Sequence, residues 1–155
     1  MLGLAVNQMR ENPLPLVYKD KAERLVDAVT RIQASETKDA VALELPETLD
    51  YEEMKKVVEK GEAIILDARP ELFHRLGHIP SALSLPRDEF EEGYKAIKEI
   101  LEADKNRQLV IYCANDTCKD AELVCEALKK LGYTRILIYV GGWSEWQRYS
   151  VTNDQ

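Results

Sequence analysis

The chain has 155 residues and a mass of 17.7 kDa, enough for one domain with a core and too short for two ordinary ones. With 45% hydrophobic and 32% charged residues it has a globular composition rather than a disordered or membrane-embedded one, and a net charge of -7 argues against nucleic acid as a partner, since binding there rests on Lys and Arg neutralising phosphates. Three cysteines are too few for a disulfide scaffold, and the odd count leaves at least one unpaired within the monomer.

Residues 1 to 18 hold Pro13 and Pro15 and no sustained periodicity, which predicts an extended lead-in. The run from Met1 to Val6 is apolar but short, and no stretch approaches the roughly 18 apolar residues of a membrane span. The expectation is a cytoplasmic protein, or a periplasmic or membrane-anchored one if that run ends an anchor or signal segment upstream. From Lys19 to Ala34, the positions Ala22, Leu25, Val26, Val29 and Ile32 recur at helical spacing, giving an amphipathic helix expected to pack on the main domain. Residues 35 to 40 read as a polar linker. The chain thus divides into an N-terminal extension over 1–46 and a main domain over 47–150.

In the main domain, Asp50 with Glu53 three residues on is a capping-box start; Met54, Val57 and Val58 form an apolar face, and Gly61 stops the helix. Ala63 to Leu66 and Leu109 to Tyr112 are short apolar runs, read as buried strands that end in Asp67 and Cys113. A helix is predicted from Lys119 to Leu131, with Ala121, Val124, Cys125, Leu128 and Leu131 on one face and Gly132 at its end. Ile136 to Val140 is a further strand, followed by Gly141, Gly142 and a short helix with Trp143 and Trp146. Such alternation predicts an α/β fold with a mainly parallel sheet covered on both faces, and sites in such sheets form at the carboxyl ends of strands.

The segment Tyr112-Cys-Ala-Asn-Asp-Thr-Cys-Lys119 runs from a strand end into a helix start. Backbone N–H groups of such a turn can converge on its centre and stabilise an anion or thiolate. A thiol with pKa near 8.5 is only ~3% thiolate at pH 7, whereas one lowered to about 6.5 is ~75% thiolate. Cys113, which opens the turn, is therefore the candidate nucleophile. Cys125, on the apolar face of a helix, reads as a buried small hydrophobe.

The segments LDARPELFHRLGHIPSALSLP (66–86), VIYCANDTCKDAELVCEALKKLGY (110–133) and IYVGGWSEW (138–146) resemble the rhodanese, or sulfurtransferase, family. The resemblance covers about residues 47 to 150. It implies a rhodanese-like three-layer fold with a five-stranded sheet, in which Cys113 takes sulfur from a donor such as thiosulfate and passes it to a nucleophilic acceptor. The active-site loop is then Cys113, Ala114, Asn115, Asp116, Thr117, Cys118 and Lys119. Its six residues from Cys113 to Cys118 have the sulfurtransferase length, one shorter than in the related cell-cycle phosphatases and arsenate reductases, which favours sulfur over phosphate or arsenate. Asp67 and Arg69 are implied as a brace near the loop, with contact between Arg69 and substrate as the alternative, and His78 as a hydrogen-bonded structural residue. His74 has no motif support and is expected at the surface.

Where many members carry Cys-x-x-Gly-x-Arg, this chain has Asp116 at the glycine position and Cys118 at the arginine position. A carboxylate there opposes both thiolate formation and a dianionic donor, by an amount comparable to the 0.3 to 1 kcal/mol of a helix end, with Lys119 expected to offset it. A persulfide or polysulfide is then favoured over thiosulfate as donor. The acceptor would be a thiol or cyanide, and the loop ends could approach within the roughly 7 Å Cα separation that a disulfide tolerates, which calls for a thioredoxin- or glutathione-type reductant. Two further functions compete: a Cys113/Cys118 dithiol redox or sulfur-sensing module, and a non-catalytic interaction domain. No cofactor is expected, and two histidines without paired cysteines at ligand spacing argue against zinc.

Overall fold

The computed structural model describes residues 20–33 and 46–152. The expected lead-in, the run from Met1 to Val6 and the polar linker lie outside the described residues. Eleven elements follow in chain order: α1 (Lys21–Gln33), β1 (Glu47–Leu49), α2 (Tyr51–Lys60), β2 (Ile64–Asp67), α3 (Glu71–Leu76), β3 (Leu83–Ser84), α4 (Phe90–Glu102), β4 (Leu109–Tyr112), α5 (Asp120–Lys130), β5 (Ile136–Tyr139) and α6 (Gly142–Thr152). The strands form one sheet in the order β1-β5-β4-β2-β3, and every pairing is parallel. The sheet is thus parallel throughout among the described residues, in line with the mainly parallel sheet expected.

Side-chain alternation along the central strands assigns the two layers. Ile64, Leu66, Leu109, Ile111, Ile136 and Ile138 face one way, against Phe90, Tyr94, Ile97 and Leu101 of α4 and Val124, Cys125 and Leu128 of α5. Ile65, Val110, Tyr112 and Tyr139 face the other way, against Met54 of α2 and Trp146 of α6. All residues of β2 and β4 are buried, as expected of strands covered on both faces. The expected N-terminal helix is present over Lys21–Gln33, and Leu25, Ala28 and Val29 join the α4–α5 layer. Arg31 pairs with Glu91 of α4 at 2.7 Å, and Gln33 donates to the Lys130 carbonyl at 2.5 Å.

The capping box forms as the residues predict. Asp50 accepts from the Glu53 amide at 2.9 Å and its own amide donates to Glu53 at 3.0 Å. Gly61 ends α2 with φ 64°, a left-handed conformation that a side chain would disfavour. The elements expected from periodicity omit α3 and α4, although Phe90, Tyr94, Ile97 and Leu101 of α4 keep helical spacing and are buried. They also omit β1 and β3, of three and two residues, too short to show a period.

Candidate active site

Parallel pairing carries β4 into the middle of the sheet, flanked by β2 and β5, so the loop that leaves Tyr112 opens at the carboxyl edge between neighbouring strand ends. Its first two carbonyls are fixed from outside: Cys113 O accepts from the Trp143 amide and Ala114 O from the Ser144 amide, each at 2.9 Å. Both donors lie in the first turn of α6, which starts at Gly142 with φ 62°. A Cβ on Gly142 would stand 2.6 Å from Cys113 O and 2.9 Å from the Asn115 amide nitrogen, so only glycine lets α6 approach this closely.

Within the loop, Asn115 makes a local turn. Its Oδ1 accepts from the Thr117 amide at 3.2 Å and hydroxyl at 2.8 Å, and its carbonyl accepts from the Cys118 amide at 3.2 Å. These bonds modify the expected cradle, because two of the amides that would hold an anion are already taken up by Asn115. The turn brings the two ends of the loop together, and Cys113 and Cys118 form a disulfide with their Cα atoms 6.1 Å apart. Cys113 is buried and Cys118 is partly exposed. Asp116 is exposed. The Lys119 ammonium pairs with Glu122 at 2.8 Å. A cleft of about 490 Å³ lies alongside, between the loop, α5 and the ends of β1 and β5, and Cys113, Cys118 and Cys125 all border it. Cys125 is buried, and burial pushes its thiol pKa up to about 11, which keeps it protonated and unreactive at neutral pH.

The brace lies on the other face of β4. Asp67 is fully buried, and Arg69 grips it through Nε at 3.0 Å and Nη2 at 2.7 Å. The Tyr112 hydroxyl donates to Asp67 at 2.8 Å and accepts from the Ile79 amide at 3.1 Å. Burial is the largest influence on Arg69 and lowers its pKa, yet the hydrogen bond and charge of Asp67 outweigh it, so the guanidinium is held more firmly charged. The same group donates to the Gly77 carbonyl at 2.6 Å and lies 5.1 Å from the Trp143 ring centroid. Arg69 therefore lies against the helix turn whose amides hold Cys113 and Ala114.

His74 corrects the surface expectation. Its side chain is 13% exposed and Nδ1 stands 3.1 Å from Asp67, because α3 turns it back toward the strand end. His78 is exposed; its Nδ1 lies 2.9 Å from the His74 carbonyl, and the two rings stack at 4.0 Å.

One pair has no counterpart among the expectations from sequence. Arg87, whose side chain is only 1% exposed, donates through Nε to Asp120 at 2.5 Å and through Nη2 to Asp88 at 2.7 Å. Its Nη1 is buried without a hydrogen-bond partner among the described residues. Asp120 opens α5, directly behind the loop. Nothing in the spacing of residues 33 apart announces such a contact.

A family model for the rhodanese-like domain matches residues 50–149, which spans β2 to β5, the loop and the brace. The chain belongs to the rhodanese-like family. Rhodanese-like relatives include the tRNA uridine(34) hydroxylase of Escherichia coli O1:K1, 27% identical over 103 residues, which are 66% of this chain and 29% of the relative. The chain thus spans less than a third of the length of the curated relatives it matches. Among solved structures, the human single-domain sulfurtransferase TSTD1 superposes with a TM-score of 0.56 at 26% identity, over 68% of this chain and 97% of that one. The Saccharomyces cerevisiae single-domain sulfurtransferase RDL2 gives a TM-score of 0.56 at 16% identity, over 73% and 98%, a likeness of fold. No helix among the described residues is long and apolar enough to cross a membrane.

Proposed function

We propose that this rhodanese-like protein is a sulfurtransferase that carries sulfane sulfur as a persulfide on Cys113 and discharges it with the help of Cys118. The observation that carries this reading is the pairing of the two loop cysteines, 6.1 Å apart at Cα, at the end of a central parallel strand. In the reduced protein the Cys113 thiolate attacks the outer sulfur of a donor RS–SH; the S–S bond breaks, RS⁻ leaves, and Cys113 holds the persulfide. An acceptor thiol or cyanide can take the outer sulfur. Alternatively the Cys118 thiolate attacks Sγ of Cys113, hydrosulfide leaves, and the Cys113–Cys118 disulfide remains. A dithiol reductant of the thioredoxin type, or glutathione, then supplies two electrons and two protons to restore both thiols.

Asp116 is exposed beside the loop, and the Lys119 charge is engaged by Glu122. Both features disfavour a dianionic donor, so a persulfide or polysulfide is the preferred substrate over thiosulfate. The site residues of this reading are Cys113 as nucleophile, Cys118 as the resolving thiol, and Asp67, Arg69 and Tyr112 as positioning groups.

The test is intact-mass analysis of reduced protein loaded with donor, without added thiol. Wild type is expected to gain one sulfur atom and then lose it as the disulfide forms, while Cys118→Ser holds the added sulfur at least about tenfold longer and Cys113→Ser never gains it. Equal lifetimes in wild type and Cys118→Ser overturn the resolving role. Loss of two hydrogens with no sulfur gained at any time favours a dithiol redox module instead.

A further inference from the structure

The carboxyl end of the loop gathers three groups that persulfide chemistry does not need together. Sγ of Cys113, Sγ of Cys118 and one carboxylate oxygen of Asp120 lie within 4.8 Å of one another. We propose that in the reduced protein these three side chains form a binding site for a thiophilic divalent cation of the Zn²⁺ class, with Arg87 orienting the carboxylate. The site needs the dithiol but no sulfur donor, so it stands independently of the sulfurtransferase reading.

The ligand set decides the class of ion. Two thiolates and one carboxylate favour Zn²⁺ or Cd²⁺ over the hard, oxygen-seeking Mg²⁺ and Ca²⁺. Tetrahedral Zn²⁺, with bonds of about 2.3 Å to sulfur and about 2.1 Å to oxygen, needs ligand atoms about 3.6 to 3.8 Å apart. The present spacing reaches that once the disulfide opens and the two sulfurs part. Three protein ligands leave a fourth position, and the cleft bordered by Cys113 and Cys118 gives water access to it.

Arg87 supplies the support that such a ligand requires. Its buried guanidinium donates to Asp120 Oδ1, which holds the carboxylate in one orientation and leaves the other oxygen to the ion. The local charge also favours a cation: two thiolates, Asp120, Asp88 and the Arg87 guanidinium that the two carboxylates share sum to three negative charges, which a divalent cation reduces to one. Reduction of the disulfide by a dithiol takes up two electrons and two protons, and the cation then displaces those two protons from the thiols. The histidines that argued against zinc play no part here, because His74 and His78 belong to the brace. Since Cys113 can hold an ion or a sulfur atom but not both, occupation by the cation blocks persulfide formation.

The test is an anaerobic titration of the dithiol-reduced, desalted protein with Cd²⁺, followed by the ultraviolet thiolate-to-metal charge-transfer band and by proton release in weak buffer, with Zn²⁺ as competitor. Wild type is expected to saturate at one equivalent and release about two protons per ion. Cys113→Ser and Cys118→Ser lose this tight phase, Asp120→Asn and Arg87→Met weaken it about 10- to 100-fold, and Cys125→Ser leaves it unchanged. The Asp120 side chain is 25% exposed, so its variant keeps the comparison sound even if Arg87→Met unfolds. The proposal is overturned by a wild type without the band, by full binding in Cys113→Ser, or by wild-type affinity in Asp120→Asn. Sulfur loading of metal-free protein reports separately on the persulfide reading.

Discussion

At the scale of single residues, the proposed preference for a persulfide over thiosulfate rests on Asp116. It is exposed in the loop, and the Lys119 ammonium three residues on is bonded to Glu122. Asp116→Gly should therefore raise kcat/KM for thiosulfate about two- to fivefold, the rate equivalent of the 0.3 to 1 kcal/mol that a charge contributes at a helix end, with a smaller gain for an uncharged alkyl persulfide donor. Steady-state assays with the two donors check this; an unchanged ratio between them would show that the charge does not reach the donor. Cys113 and Cys118 were legible as candidates because their positions, strand end and helix start, follow from the pattern of neighbouring residues. The Arg87–Asp120 contact was not, because a pair 33 residues apart leaves no periodic trace. His74 was misplaced for a related reason: its side chain is turned inward by the Asp67 carboxylate, and sequence alone does not reveal which polar residues a buried charge will recruit.

At the scale of elements, two glycines share one backbone geometry and differ in what surrounds them. Gly61 has φ 64° and open space within 4 Å of the point where a methyl group would stand, whereas Gly142 has φ 62° with Cys113 O only 2.6 Å from the same point. Alanine at either site carries the left-handed penalty of about 1–2 kcal/mol. Only Gly142→Ala should also displace the first turn of α6 from the loop, weakening the amide bonds to Cys113 and Ala114. Urea unfolding of the two variants, with the rate of Cys113–Cys118 closure, separates the effects: similar losses of stability and unchanged closure in both would mean that the α6 contact does not position the loop. Long amphipathic stretches and caps were readable because each carries its own local chemistry, as Asp50 with Glu53 and Gly61 do. β1 and β3 exist only through their partners, and α3 is a six-residue helix whose Leu72, Phe73 and Leu76 are exposed, too short to show a period.

For the whole molecule, the buried ionisable groups predict an alkaline limit. Burial raises the Cys125 thiol pKa to about 11 from an ordinary value of 9.0, and burial also raises the Tyr94, Tyr112 and Tyr139 hydroxyls. The folded state therefore holds these protons more tightly than the unfolded chain. Stability is fully present below pH about 9 and falls as pH rises toward about 11, because the unfolded state is first to lose its protons. Cys125→Ala should make that fall shallower in urea titrations across the window, and an identical slope would mean that the thiol ionises equally in both states. Strand order has a different consequence, in time rather than in energy. Among the described strands β1 has one neighbour, β5, and Glu47 pairs with Leu137, so β1 waits for a strand made about 90 residues later. β2 and β4, closer in the chain, can pair earlier, and loop closure entropy favours that sequence. The wall of the cleft formed by Thr48, Ile138 and Tyr139 is thus expected to assemble late, and native-state hydrogen exchange should find β1 opening before β2 and β4. A nascent chain still lacking β5 already carries both loop cysteines without that wall, and during this interval they are open to oxidation that the finished fold would direct.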